Sequence, residues 1–393
     1  MIQTNKSISF IHIKYPYGGG EKVTTDICRY LMGRGYFVYV FVAELDESKI
    51  GVEHNGINFL ILPNSNLNSI ENSQFIPQKI NELEISYFVI PDFQIKWIKT
   101  IKLQSNCKVI YQLHNVPLWE MIFKVAAGEN NARKSIGKYI EWNLLRKWKY
   151  KFLKSNKTKI LKYYKETYDA VDAYVVLCDS YGRDIANIVG VDYGQSKIHT
   201  LINPTNFIEP KQIINKKKQI LYVGRLLYAQ KRVDRLIAIW EKIYDEFRDW
   251  ELLIVGEGPE KQTLETQVSN LHIERVRFCG FSSMVSEYYN TASILCLTST
   301  YEGWPLVLVE AQANGIVPIS FNCCAGVEEI LSPDYQNGVL VTAFDLDDYA
   351  DKLKELMRNK DLRNQIVKNN YQRVQKYDLN LIGLRWEELL NAL

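Results

Sequence analysis

The sequence predicts an α/β protein with two Rossmann-like, doubly wound domains, and three observations support this fold class. Apolar runs of strand length, rich in valine, isoleucine and aromatic residues, alternate with helical patterns along nearly the whole chain. Such alternation is typical of a parallel sheet that helices cover on both faces. The series of strands stops and then restarts around residues 203–219, and 393 residues are too many for one core of ordinary size.

The predicted strands form two series, one in each half of the chain. The runs of the first series begin at Ile8, Tyr36, Tyr87, Lys108 and Ala173. Those of the second begin at Gln219, Trp250, Val276, Ser293, Val317 and Gly338. The polar, basic segment 203–219 contains two prolines, which indicates a linker. We therefore expect an N-terminal domain at 1–204, a C-terminal domain at 205–376 and, from helical spacing of apolar residues, a packed helix at 377–393.

Composition excludes several classes of protein. With 47% hydrophobic and 24% charged residues, the chain is neither disordered nor collagen-like. The first residues lack the order of a secretory leader, and no stretch of about 18 residues is continuously apolar. The seven cysteines lack C-x-x-C spacing and read as reduced thiols. A cytoplasmic location is the expectation.

Positive charge is concentrated in one segment. Residues 124–165 hold thirteen Lys or Arg against two acids, a net charge of +11, whereas the whole chain carries +3. Apolar and aromatic residues follow roughly helical spacing through this segment, as in interfacial amphipathic helices. We expect peripheral binding to the anionic inner face of the cell membrane. A helix packed on the N-terminal domain with a solvated basic face remains open. Nucleic acid is not expected as a partner, because no RNA-binding motif accompanies the cations.

The segment after the predicted strand at Ser293 carries the most chemical information. Glu302 falls in a loop, Pro305 suits the first position of a helix, and Glu310 follows on that helix. Backbone N–H groups at a helix start favour a phosphate, and two carboxylates with seven residues between them could accept hydrogen bonds from the hydroxyls of a sugar nucleotide. Two surface acids near a helix start would give the same pattern.

Two cations follow the first predicted strand of the second series. The forked guanidinium of Arg225 and the ammonium group of Lys231 could neutralise a leaving diphosphate. Solvated loop cations are the alternative interpretation.

These motifs together resemble glycosyltransferase family four. The E-x7-E pattern of Glu302 and Glu310, within EGWPLVLVEA, resembles its signature. VGRLLYAQKRVDRLI at 223–237 resembles its Arg and Lys pair, YPYGGGEKV resembles its glycine-rich loop, and His114 resembles its histidine near the donor sugar. The resemblance implies the GT-B fold: two facing Rossmann-like domains, a cleft between them, and a C-terminal helix that crosses back to the N-terminal domain.

The resemblance also implies a set of site residues. It assigns catalysis to Glu302, Arg225, Lys231 and His114. It assigns donor binding to Gly18, Gly19, Gly280, Phe281, Gly303, Trp304, Pro305, Leu306 and Glu310. Where the family commonly has a Gly-Gly pair, this chain has Cys323 and Cys324. No metal or cofactor is expected beyond the donor, because the histidines lack ligand spacing and the D-x-D motif at Asp345 suits a helix cap.

The expected function follows from that resemblance. It is transfer of a sugar, with retention, from a nucleotide-diphosphate sugar to a hydroxyl of a glycan or lipid-linked acceptor in cell-surface polysaccharide synthesis. UDP is the first expectation for the nucleotide and GDP the second. Two alternatives stay open: a sugar-nucleotide epimerase or phosphorylase of the same fold, and a non-catalytic glycan- or membrane-binding partner. The sequence leaves the sugar, the acceptor and the oligomeric state open.

Overall fold

The chain forms two compact units. The computed structural model describes residues 6–16, 18–133, 135–146, 154–205 and 216–393. The first unit comprises Met1–Pro117, Thr158–Asn206 and Tyr377–Leu393, and the second comprises Leu118–Lys157 and Phe207–Lys376. Each unit contains one parallel sheet with helices. The predicted fold class, two Rossmann-like α/β domains, is confirmed.

Both sheets have a doubly wound strand order. The strands of the first unit are β1 (Ser7–Tyr15), β2 (Phe37–Leu45), β3 (Asn58–Ile61), β4 (Tyr87–Pro91), β5 (Lys108–Gln112), β6 (Ala173–Val176) and β7 (Ile198–Thr200). Those of the second are β8 (Gln219–Val223), β9 (Glu251–Val255), β10 (Val276–Gly280), β11 (Ile294–Leu297), β12 (Val317–Phe321) and β13 (Val339–Val341). The orders are β3-β2-β1-β4-β5-β6-β7 and β10-β9-β8-β11-β12-β13. The chain therefore reverses direction beside β1 in one sheet and beside β8 in the other, which creates a topological switch point in each.

Helices connect the strands of both units. They are α1 (Gly19–Gly33), α2 (Ile70–Glu82), α3 (Ile98–Gln104), α4 (Trp119–Ala132), α5 (Ile136–Glu141), α6 (Lys154–Ala170), α7 (Asp179–Val189), α8 (Val233–Glu241), α9 (Lys261–Leu271), α10 (Val285–Thr291), α11 (Leu306–Ala313), α12 (Ala325–Leu331), α13 (Leu346–Arg358), α14 (Lys360–Arg373) and α15 (Leu379–Ala392). A π-helical turn, Trp142–Arg146, follows α5. Short polar side chains cap several helix starts; Asp345 accepts hydrogen bonds from the N–H groups of Asp347 and Asp348 and caps α13, as predicted.

The central strands explain why the fold class is readable in the sequence. β4 and β12 are buried at every position, because helices cover both faces of each sheet. The sequence analysis missed β3 and β7. β3 has exposed and half-buried residues at a sheet edge, and β7 has three residues at the opposite edge. Neither has enough buried length to give an apolar run.

The terminal helix α15 belongs to the first unit and packs against α1. The Glu387 carboxylate accepts hydrogen bonds from Tyr30 (2.8 Å) and Arg34 (2.9 Å). Tyr87, on β4, donates its hydroxyl to the carbonyl oxygen of Leu390 at 2.6 Å. Gly383 lies against the ring of Tyr30, so closely that a Cβ there would be 2.4 Å from a ring carbon. A glycine is therefore required for this helix contact.

The basic segment differs from its expected placement. The domain prediction assigned 124–165 to the N-terminal domain, whereas residues up to Lys157 group with the second unit. Contacts of α4 explain the difference, since Asn130 donates to Glu260 at 3.0 Å and Arg133 lies over the Tyr228 ring. The part at 147–153, and most of the predicted linker at 206–215, lie outside the described residues. Among the described helices, none is long and apolar enough to cross a membrane.

Replacing Gly383 with Ala should destabilise the first unit by about 1–3 kcal/mol, because the new methyl group would overlap the Tyr30 ring. Urea denaturation followed by circular dichroism measures this free energy. Gly33→Ala is the matched control, because a Cβ at Gly33 meets nothing within 4 Å. Equal unfolding midpoints for the two variants would contradict the packing described for α15.

Candidate functional site

The carboxyl edge of the second sheet brings the predicted charged residues to one region. β8 and β11 are neighbours at the centre of this sheet, and their following loops leave in opposite directions. Arg225 and Lys231 lie in the loop after β8, and Glu302 lies in the loop after β11. Ligands of open α/β sheets bind at such switch points. This edge is therefore the candidate functional site.

A buried ion pair joins the two loops. The Lys231 ammonium group lies 2.6 Å from Oε1 of Glu302, and the side chains are only 19% and 6% exposed. The Ser299 hydroxyl donates to the same oxygen at 2.6 Å. Because charged hydrogen bonds strengthen away from water, the pair fixes both side chains at the site.

Further hydrogen bonds hold the two loops together. The Thr300 N–H donates to the carbonyl oxygen of Gln230 at 2.7 Å, and the Thr298 hydroxyl donates to that of Arg232 at 3.0 Å. Arg232 pairs in turn with Asp234 at the start of α8. These hydrogen bonds thus fix the two loops that carry the ion pair, as a preorganised site requires.

Arg225 is exposed at the same edge. Its carbonyl oxygen accepts a hydrogen bond from Tyr222 at 3.0 Å, which fixes its backbone while the side chain extends into solvent. The neighbouring Gly256 and Gly258 pack the loop after β9 against this loop. A Cβ at Gly256 would lie 1.9 Å from the Gly224 carbonyl oxygen, and one at Gly258 would lie 2.4 Å from that of Leu226. These two glycines serve close backbone packing.

Glu310 lies on α11, and its side chain is fixed by a tyrosine. The buried Tyr289, on α10, donates its hydroxyl to Oε2 of Glu310 at 2.8 Å. The sequence analysis placed Pro305 inside this helix. The helix instead begins at Leu306, with Pro305 as the extended residue before it, so α11 presents its first N–H groups immediately after the loop.

The other predicted donor-binding residues of this unit fall into two groups. Gly303, Trp304 and Pro305 are buried between β11 and α11. Gly280 ends β10, two strands from β8, and its φ of +72° favours glycine. Phe281 follows it with a side chain that is 70% exposed. The structure thus places Gly280 and Phe281 farther from the switch point than the ion pair.

Helix α4 contacts the loops of this edge. Arg133 lies 4.4 Å from the centre of the Tyr228 ring, and Arg232 lies 4.3 Å from the same centre. Trp119 stacks on Tyr301, the residue before Glu302, with ring centres 6.5 Å apart. Aromatic and cation–π contacts of this kind are typically worth about 1 kcal/mol each. They attach the start of the basic segment to the candidate site.

Two predicted residues, Gly18 and Gly19, lie at the start of α1 in the first unit. Gly18 precedes the helix with extended backbone, and Glu21 lies in the first turn. A Cβ at Gly18 would meet Oε2 of Glu21 at 2.9 Å. His12, on β1, lies near the same carboxylate, and burial lowers its pKa to about 3, so it carries no charge at neutral pH. The acidic Glu21 makes this loop better suited to neutral hydroxyl groups than to a phosphate.

His114 follows β5, near the switch point of the first sheet. The backbone N–H of His114 donates to the carboxylate of Asp92, the residue after β4, at 2.9 Å. The Asn115 side chain donates to the same carboxylate at 2.6 Å. Burial lowers the pKa of His114 to about 4, partly opposed by Asn203. The imidazole is therefore neutral at pH 7, with one nitrogen as donor and the other as acceptor.

The sequence analysis did not find every residue of this arrangement. It missed Ser299 and Tyr289, which hydrogen-bond the two predicted glutamates. It also missed Tyr228, whose ring contacts Arg133 at the end of α4. Only the position of Ser299 at the end of an apolar run could have suggested its role. Across the described ranges, no group of three His, Cys, Asp or Glu side chains is placed to hold a metal ion.

Comparison with known proteins shows what the chain is similar to. Residues 204–373 match the family model described as "Glycosyl transferases group 1". The amylovoran biosynthesis glycosyltransferase AmsD of Erwinia amylovora is 35% identical over 182 residues, which cover 45% of this chain and 49% of that protein. An α-1,4-N-acetyl-D-galactosaminyltransferase of Campylobacter jejuni, acting on an undecaprenol-linked glycan, is 29% identical over 197 residues, 49% of this chain and 54% of that protein. The chain spans about half the length of the curated relatives it matches.

The fold is similar to that of solved structures along nearly the whole chain. The structure of Anabaena HepE in complex with UDP and glucose superposes with a TM-score of 0.76, covering 99% of this chain and all of that one, at 16% sequence identity. The likeness at this identity concerns the fold.

Replacing Lys231 with Met should lower the free energy of unfolding by about 3 kcal/mol, because the Glu302 carboxylate would stay buried without its cation. Adding Glu302→Gln should recover part of that loss, which a double-mutant cycle in urea measures as a coupling energy of about 1–3 kcal/mol.

The ion pair of Lys242 and Asp347 is the matched control for this cycle. It has a similar length, 2.8 Å, but lies at the surface, so its coupling should stay below about 1 kcal/mol. Equal coupling energies for the two pairs would contradict the buried role of Lys231.

Proposed function

We propose that the protein transfers a sugar from a nucleotide-diphosphate sugar to a hydroxyl of a glycan or lipid-linked acceptor, because residues 204–373 match the family model of group 1 glycosyl transferases. The proposal names UDP as the first nucleotide and GDP as the second, and cell-surface polysaccharide synthesis as the process. The name of AmsD supports the process, the undecaprenol-linked glycan in the name of the Campylobacter enzyme supports a lipid-linked acceptor, and the complex of HepE with UDP supports the nucleotide.

One observation carries the proposal. The cations Arg225 and Lys231 and the carboxylate Glu302 come from the two loops at the switch point of the sheet, and α11 begins directly behind them. A diphosphate needs positive charge and N–H donors, and a sugar needs carboxylates that accept hydrogen bonds. Both kinds of group converge at this one edge.

Each residue then has a role in transfer. Arg225 binds the diphosphate with its forked guanidinium, and Lys231 shares its charge between the diphosphate and Glu302. These cations and the N–H groups at the start of α11 stabilise the charge that develops on the leaving group. Glu302 orients the donor sugar. Glu310, held by Tyr289, accepts hydrogen bonds from the ribose hydroxyls.

The first unit supplies the remaining roles in this proposal. His114, neutral at pH 7, hydrogen-bonds the sugar near the reacting carbon. Gly18 and Gly19 let the backbone approach the sugar hydroxyls closely. Gly280 and Phe281 contact the nucleobase. We include retention at the anomeric carbon, which rests on the motif resemblance, and independence from a bound metal, which rests on the spacing of the histidines and the capping role of Asp345. Comparison of the anomeric configuration in donor and product by NMR tests retention.

A thermal-shift screen against UDP-, GDP-, ADP- and CMP-sugars tests the proposal. A UDP-sugar at 100 times its Kd should stabilise the native protein by about 2.7 kcal/mol. Glu310→Ala should abolish the shift, because the ribose loses its acceptor. Arg225→Ala should keep part of the shift and lower kcat about 100-fold, because it acts on the leaving group. Glu328→Ala, an exposed acid on α12, should behave as wild type.

Other outcomes separate the alternatives. Wild-type binding and turnover in both Glu310→Ala and Arg225→Ala would remove the site assignment. A shift with a sugar nucleotide that is consumed without any acceptor would identify an epimerase. The absence of a shift with every sugar nucleotide would favour a non-catalytic glycan-binding protein.

We also propose that the basic segment holds the protein at an anionic membrane surface. On α5 and the following turn, Ile136 and Leu144 are 82% and 70% exposed, and Tyr139 and Ile140 are also exposed. Trp142 is not part of this exposed surface. It is buried against Gly128 and so packs the turn after α5 onto α4. Exposed apolar side chains amid the positive charge of 124–165 are the pattern of interfacial binding.

Wild-type protein should float with liposomes that contain 30% anionic lipid at 0.1 M salt and dissociate at 0.5 M, because salt screens the attraction. The double variant Ile136→Ser, Ile140→Ser should bind about tenfold more weakly, since less apolar surface enters the bilayer. Leu103→Ser on α3, where Leu103 is 87% exposed, is the matched control and should bind as wild type. Wild-type protein that stays unbound at 0.1 M salt would contradict the proposal.

A further inference from the structure

Two adjacent cysteines, Cys323 and Cys324, lie at the carboxyl end of β12 beside the candidate site. Their sulfur atoms are 4.0 Å apart, and both residues are half-buried. Four of the other cysteines are fully buried, where a thiol packs as a small apolar group: Cys28, Cys107, Cys178 and Cys296. The adjacent pair instead occupies a tight turn, where the Cys323 N–H donates to the Phe321 carbonyl oxygen at 2.8 Å. Cys323 also packs against the core of the second unit, so the pair combines a core contact with a position at the sheet edge.

The pair is electrostatically connected to the site. The contact with Cys324 raises the pKa of the Cys323 thiol well above its ordinary value, burial adds to the shift, and the charge of Glu302 raises it further. Arg235 connects the end of β12 with the loop after β11: its guanidinium lies 5.9 Å from the centre of the Phe321 ring and donates to the carbonyl oxygen of Thr298 at 3.3 Å. The turn that holds the two thiols follows β12, and β12 pairs with β11 up to Ser320 and Leu297, so a rearrangement of this turn adjoins the loop that carries Glu302.

We propose that Cys323 and Cys324 are a thiol modification site that switches donor binding. The thiolate fraction of the pair, which the raised pKa of Cys323 keeps small at neutral pH, attacks a small disulfide, forms a mixed disulfide and releases one thiol. The second cysteine then displaces the other thiol and closes a disulfide between the two residues. The protein loses two electrons and two protons, and the small disulfide gains them. A reducing thiol reverses both steps.

Closure of this disulfide must change the turn. Adjacent Cα atoms are about 3.8 Å apart across a trans peptide bond, whereas disulfides ordinarily need about 4.4–6.8 Å. The sulfur atoms must also approach from 4.0 Å to about 2 Å. The backbone between β12 and α12 absorbs the difference. Strained disulfides of this kind are readily reduced, which suits reversible regulation.

The effect on donor binding rests on the proposed function, but the thiol chemistry can be measured separately. Reduced full-length protein is incubated with glutathione disulfide, quenched in acid, treated with an alkylating agent and digested for mass spectrometry. The peptide with Cys323 and Cys324 should carry no alkyl group and be lighter by two hydrogen atoms. Closure should also accelerate as pH rises, since it begins from a thiolate.

Calorimetry with UDP then tests the switch. The Kd for UDP should rise about tenfold after closure and return with dithiothreitol. Cys279→Ser, which replaces another half-buried cysteine, should respond as wild type, whereas the double variant Cys323→Ser, Cys324→Ser should keep its affinity under exchange.

Three results distinguish failure of the thiol switch from failure of the proposed function. Alkylation of both thiols, or stable glutathione adducts without ring closure, would overturn the modification site. Ring closure with an unchanged Kd for UDP would overturn its effect on the donor. If reduced wild-type protein binds neither UDP nor a UDP-sugar, the donor assignment fails, and with it the switch, while the mass measurement still decides the thiol chemistry.

Discussion

The buried pair of Lys231 and Glu302 is the interaction on which the candidate site depends. It joins the loops after β8 and β11, the two strands between which the chain changes direction. A carboxylate in this position would be costly without its cation and the Ser299 hydroxyl. The strand order of the sheet therefore creates the switch point, and the ion pair fixes the side chains of Lys231 and Glu302 there. Under the proposed function, a donor diphosphate must compete with Glu302 for the charge of Lys231.

The two units differ in the chemistry that their sheet edges offer. The second unit has Arg225, Lys231 and the start of α11, which suit a diphosphate. The first has Glu21 beside its glycine-rich turn and a neutral His114, which suit hydroxyl groups. This difference arises from single residues in the loops, because both sheets have the same parallel, doubly wound order. The two edges of similar scaffolds thus carry groups of different chemistry.

The fold class could be predicted because buried parallel strands give continuous apolar runs, as β4 and β12 do. The edge strands β3 and β7 give none, so they were missed. The places of Lys231 and Glu302 in loops after strands could be predicted, because each follows an apolar run. The contact between Tyr289 and Glu310 could not, because it joins residues of different helices. The attachment of α4 to the second unit was also not predictable, since it depends on tertiary contacts such as Arg133 on Tyr228.

The return of α15 to the first unit has a consequence for the order in which the chain can fold during synthesis. The second unit draws most of its residues from the continuous stretch Phe207–Lys376, all of which leave the ribosome before α15. The hydroxyl groups of Tyr30 and Tyr87 cannot form their hydrogen bonds until Glu387 and Leu390 have emerged. Although its strands are made first, the first unit is therefore the last to be completed, and the surface of α1 that α15 covers stays open to chaperones until then.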